Sequence, residues 1–90
     1  MKLKSDFILH TVGGEHVVMP VGERTQEFHG MIRLNESGAF IWERMTEQGT
    51  FTIESLVAAL LEHYDVTDSV AAATVEKFIA SLTDAGIVEV

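Results

Sequence analysis

Gly30-Met31-Ile32-Arg33-Leu34-Asn35-Glu36-Ser37-Gly38-Ala39-Phe40-Ile41-Trp42-Glu43 is where this chain changes its period. Up to Leu34 the residues are large and apolar around Arg33, as in a short strand. From Asn35 they repeat every three to four positions. Asn35 is a favourable N-cap, and Glu36 follows in the first turn, where a negative charge meets the helix dipole. Gly38, Ile41, Trp42 and Met45 then fall at i, i+3, i+4 and i+7, one face of a helix that Gly49 ends. The segment reads as the junction between a β region and an α region.

Before it lie two further strands. Phe7-Ile8-Leu9-His10-Thr11-Val12 and His16-Val17-Val18-Met19-Pro20-Val21 flank Gly13-Gly14, a pair able to take the positive φ angles of a tight hairpin turn. Pro20 cannot donate to a ladder and belongs at a strand end or on an edge. Gly22-Glu23-Arg24-Thr25-Gln26-Glu27 reads as a polar connection. A two-residue turn places Phe7, Leu9 and Val18 on one face, and Ile8, Val12, Val17 and Met19 on the other. Both faces are apolar, so something is expected to cover the second: a helix, a partner, or another copy of the chain.

After the junction come two more helices. The second starts at the N-cap Thr52 and carries Ile53, Leu56, Val57, Leu60, Leu61 and Tyr64 on one stripe. The third starts near Thr67, with Ala71, Val75, Phe78, Ile79 and Leu82 as its stripe and Gly86 as its stop. Ile87-Val88-Glu89-Val90 reads as a short strand or extended tail. The expected fold is α+β and winged helix-turn-helix-like: a three-stranded antiparallel sheet followed by a three-helix bundle, one domain over residues 1–90.

Composition narrows the function. The chain has 90 residues, 47% hydrophobic and 22% charged, so it is globular rather than disordered. It lacks cysteine, which excludes disulfides, thiolate metal sites and thiol nucleophiles. Fourteen acids face six bases, a formal charge of −8. Residues 45–90 hold one base, Lys77, against eight acids. A helix-turn-helix suggests DNA, yet the third helix offers a single lysine to a polyanion, so DNA binding is a minor alternative. No apolar run approaches the ~18 residues of a membrane helix, and Met1-Lys2-Leu3-Lys4 is not followed by the apolar core of a signal peptide. A cytoplasmic protein without membrane contact is expected.

Catalytic chemistry is sparse. His10 and His16 flank the hairpin turn but point to opposite faces; with His29 and His63 they suggest no metal site. Ser37 and Ser55 lie in first helical turns, where hydroxyls cap. Glu43 and Glu47 share a helix face and read as solvated. No phosphate loop or nucleophile elbow is present. The expectation is a non-enzyme with no catalytic residue, cofactor or metal. What remains is peptide or protein binding, with the third strand as an open edge that an extended peptide can join.

The junction segment resembles the signature of PqqD-like proteins, a family named for a protein of pyrroloquinoline quinone biosynthesis. Its Leu34-Asn35 and Ile41-Trp42 match that pattern. So do Thr52-Ile53-Glu54-Ser55-Leu56, Tyr64-Asp65-Val66, and the run from Leu82 through Ala85 and Gly86 to Ile87. The likeness spans nearly all of residues 7–90. It implies a winged-helix-like recognition element that binds the leader region of a ribosomally made precursor peptide. The leader adds along strand three, rests on helix three, and is presented to a modifying enzyme, commonly a radical S-adenosylmethionine protein. Carried over by position, the peptide edge is Met31, Ile32, Arg33 and Leu34, and the groove wall is Val75, Phe78, Ile79 and Leu82. Asn35 and Trp42 read as a cap and a core aromatic. The run after Asn35 is closer to stand-alone members than to the cofactor pathway's own protein. Strand addition predicts that Ile32→Pro removes a backbone donor the peptide needs. The alternative is a winged-helix module that self-associates through its apolar hairpin, as a homodimer, with no leader peptide.

Overall fold

The turn at Gly13-Gly14 sets the register of everything before the helices. Both residues have positive φ, 57° and 82°, as a type I′ hairpin turn requires. In the computed structural model, which describes residues 1–4, 7–21 and 32–89, the turn joins β2 (Phe7–Val12) to β3 (Glu15–Pro20). Val12 pairs with Glu15, Leu9 with Val18 and Phe7 with Pro20. A third strand, β4 (Ile32–Leu34), lies antiparallel on the far side of β3, with His16 opposite Leu34 and Val18 opposite Ile32. The sheet order is β2-β3-β4. Pro20 is the last residue of β3, where its missing donor does least harm. The expected polar connection, His29, and the Gly30-Met31 start of the third strand lie outside the described residues.

Three helices follow: α1 (Glu36–Gln48), α2 (Ile53–His63) and α3 (Asp68–Asp84). Each begins at the cap its sequence marks. Asn35 Oδ1 accepts from the Gly38 N–H at 2.8 Å. Thr52 Oγ1 accepts from the Ser55 N–H, and Ser55 Oγ accepts in return from the Thr52 N–H, both at 3.0 Å; Ser55 thus fills the place Glu or Gln usually takes in a capping box. Thr67 Oγ1 accepts from the Val70 N–H. Gly49, at φ 74°, closes α1 by donating to the Met45 carbonyl.

The core joins the inner face of the sheet to all three helical stripes. It contains Phe7 and Val18, then Ile41, Trp42 and Met45, Leu56 and Leu60, and Ala71, Val75, Ile79 and Leu82, closed by Phe51, Ile87 and Val88. Leu9, Ile32 and Leu34 pack against it from the sheet. On the outer face Ile8 and Val12 stay 43% and 62% exposed, so among the described residues the expected cover of that face is incomplete.

The short strand expected near the end of the sequence is present, with a partner that the sequence does not mark. Here β1 (Lys2–Leu3) pairs with β5 (Val88–Glu89), Lys2 opposite Glu89 and Leu3 opposite Val88. The Lys4 N–H donates to the Ile87 carbonyl at 2.9 Å, and the Phe51 N–H to the Met1 carbonyl at 2.8 Å. The start and the end of the described chain are therefore tied to each other and to the α1–α2 connection.

Candidate functional site

The alternation of an antiparallel ladder decides what β4 offers to a partner. A two-residue turn makes Val12 and Glu15 a hydrogen-bonded pair, and every second pair after it is also bonded. On β3 the N–H and C=O groups of Val17 and Met19 therefore face β2, and those of His16 and Val18 face β4. Ile32 and Leu34, opposite Val18 and His16, are bonded into the sheet. Arg33, opposite Val17, turns its N–H and C=O away from β3. Among the described residues no strand pairs with that edge. Ile32→Pro therefore breaks a ladder bond of the sheet itself, and the outward donor belongs to Arg33.

Beside this edge is a cleft of about 450 Å³ between β4, the start of α1 and the outer side of α3. That lies in the lower half of the ~300–1,000 Å³ range of ligand pockets, room for a few side chains rather than a folded partner. Its floor is apolar: Ile32, Leu34, Ile41, Phe78 and Leu82. Its rim is polar: Arg33, Asn35, Ser37, Thr74, Lys77 and Ser81. Among the described residues no carboxylate lines it.

Gly38 lets the three walls meet. A Cβ there would lie 3.1 Å from Asn35 Oδ1, 3.2 Å from Phe78 Cε1 and 3.3 Å from Leu34 Cβ. Each separation is tighter than ordinary carbon contact. The bare backbone at 38 thus brings the α1 N-terminus against both β4 and α3.

Of the residues the sequence nominates, Ile32, Arg33, Leu34 and Phe78 come together on the cleft, and Leu82, a core residue only 1% exposed, closes its floor. Val75 and Ile79 do not line it; they are 0% and 6% exposed, inside the core, because they sit on the flank of α3 turned toward the other helices. Met31 lies outside the described residues. Sequence reasoning missed Thr74, Lys77 and Ser81. Their signal is the i, i+3, i+7 spacing, a polar shoulder running beside Phe78 along α3. Asn35 is both helix cap and cleft rim.

A second cleft, about 420 Å³, separates β2 from α1 and is lined by Phe7, Ile8, Leu9, Trp42, Glu43, Arg44, Thr46 and Glu47. Arg44 and Glu47 pair there, with Arg44 Nη2 2.9 Å from Glu47 Oε1, while Arg44 Nε is buried without a hydrogen-bond partner among the described residues. The Arg44 guanidinium also lies 5.1 Å from the centre of the Phe40 ring, which stacks on His63 at 4.4 Å. The β4 cleft differs in having beside it backbone groups that no described strand pairs with. Of the histidines, His10 and His16 stand on opposite faces, and His16 Nδ1 is 2.9 Å from Thr11 Oγ1. Among the described residues no three His, Asp or Glu side chains converge as metal ligands. No described helix is long and apolar enough to cross a membrane.

A family model described as Coenzyme PQQ synthesis protein D (PqqD) matches residues 15–88. Among solved structures the fold is similar to "TbiB1 in Complex with the TbiA(beta) Leader Peptide", with a TM-score of 0.78 and 19% sequence identity over 99% of this chain and 95% of that one. Comparison with curated proteins gives no match.

Proposed function

The chain belongs to the PqqD family, and from that premise we propose that it is a non-catalytic peptide-binding chaperone. It captures the leader segment of a ribosomally synthesised precursor peptide and presents it to a modifying enzyme of the radical S-adenosylmethionine type. Residues 1–90 act as one unit, in the cytoplasm where the precursor is made. The leader adds as a fourth strand to β4, hydrogen-bonding the outward N–H and C=O of Arg33, and drops alternate side chains into the cleft against Phe78 and Leu82. Met31, the residue before β4 in the sequence and outside the described residues, belongs to the same proposed contact.

The observation that carries this reading is a strand edge that no described strand pairs with, beside an apolar cleft. Main-chain bonds supply affinity in strand addition and pockets supply selectivity. The structural relative with a leader peptide bound supports the same occupant. Calorimetric titration with precursor peptides encoded beside the gene tests it. The full precursor and its isolated leader are expected to bind with similar affinity, and the leaderless core not at all. Equal binding of core and leader would contradict it.

A second reading is favoured by the exposure of Ile8 and Val12 on the outer sheet face: association of two copies through the hairpin. Sedimentation that shows a monomer at micromolar concentration removes it. Duplex DNA, against a chain of charge −8, is expected to give a flat titration even at low salt.

A further inference from the structure

The chain is strongly acidic, yet the described lining of its cleft is not. Arg33 and Lys77 stand on the rim, no Asp or Glu among the described residues joins them, and Lys77 is the one base after Arg44. Both side chains are exposed. Among the described residues neither has an ion-pair partner, whereas Lys2 pairs with Glu89 and Arg44 with Glu47. Two cations without an ion-pair partner among the described residues thus border an apolar floor, one from each wall of the cleft.

Resting on the peptide-binding reading above, we propose that the segment this cleft takes is acidic and alternating, apolar–acidic–apolar, with its carboxylate opposite Arg33. The register follows from the pleat. Ile32 and Leu34 pack on the core side of β4, so Arg33 projects from the other face. An added strand shares that pleat. Its residue opposite Arg33 lies on the outer face, with Cβ atoms ~4.5–5.5 Å apart, and its two neighbours point onto Phe78 and Leu82. An Asp or Glu at the outer position meets a guanidinium able to bind it in bidentate fashion. Lys77, one residue before Phe78 on α3, takes a second carboxylate on the cleft side. The overall charge of −8 repels an acidic chain at long range, but that repulsion is screened beyond ~8 Å in physiological salt. The two local pairs therefore fix register and choice of sequence more than total affinity.

Selection of 12-residue peptides from a random phage-displayed library, with amide NMR mapping of the winners, tests this. Peptides that perturb β4 and α3 are expected to be enriched in Asp or Glu between apolar residues. The Arg33→Glu/Lys77→Glu double variant is expected to select Lys and Arg instead, and to bind the original winners about tenfold more weakly. Both sites are exposed, so the fold should survive; the single Lys77→Glu variant, with about threefold loss, serves if the double does not fold. Winners that map to β4 without acidic enrichment overturn the charge rule and leave the peptide reading standing. Winners that map only to the β2–β3 hairpin overturn both.

Discussion

Under the proposed strand addition the backbone and the side chain of Arg33 have different tasks, and substitutions separate them. Arg33→Pro deletes the outward N–H while removing no bond to β3, and proline is tolerated on an edge strand. The folded variant is expected to keep its thermal transition within a few degrees and to lose leader binding by tenfold or more. Ile32→Pro is expected to lose about 1–3 kcal/mol of stability, because its donor belongs to the sheet. Denaturant titration beside a binding assay distinguishes the two; an Arg33→Pro protein that unfolds while Ile32→Pro stays stable would reverse the assigned ladder. Gly38→Ala is a second residue-scale test. In an ordinary helix it stabilises by about 0.5–1 kcal/mol. Here the new methyl meets Asn35, Phe78 and Leu34 at 3.1–3.3 Å, so that gain is offset and leader affinity is expected to fall. Unchanged affinity with a raised melting temperature would show that the walls relax freely.

Helix α3 turns one side to the core and another to the cleft. Val75 is fully buried, and Val75→Ala is expected to cost about 2 kcal/mol through its cavity, with leader affinity in the folded fraction unchanged. Phe78 is half-buried on the cleft; Phe78→Ala is expected to cost less stability and far more affinity. An affinity loss at Val75 equal to that at Phe78 would contradict the division. Sequence alone could not draw it. Ala71, Val75, Phe78, Ile79 and Leu82 form one apolar stripe, and hydrophobic period records that a residue leaves water, not whether it meets core or cleft. The same limit hid Thr74, Lys77 and Ser81, whose polarity matches any solvated flank. What was legible had local chemistry behind it: the caps Asn35, Thr52 and Thr67, the stops Gly49 and Gly86, the paired glycines of the hairpin. β1 had none, since a two-residue strand shows no period and its partner lies at the other end of the sequence.

In the whole molecule that long-range pairing closes the fold around the helices. Removing residues 1–4 deletes the partner of β5 and the carbonyl that receives the Phe51 N–H. The shortened protein is expected to melt several degrees lower and to lose hydrogen-exchange protection at Phe51, while the β4 cleft, built from other elements, keeps its ligand. Loss of leader binding in a folded truncation would mean that the two ends of the molecule are coupled. The central claim, a peptide joined to β4, is read most directly at one amide. In a titration of the isotope-labelled protein with the leader encoded beside its gene, the Arg33 N–H should shift strongly and become protected from exchange, with Phe78 and its α3 neighbours shifting alongside. An Arg33 amide that stays exposed at saturation, while β2 and β3 signals broaden with protein concentration, would contradict strand addition and point to self-association through the hairpin.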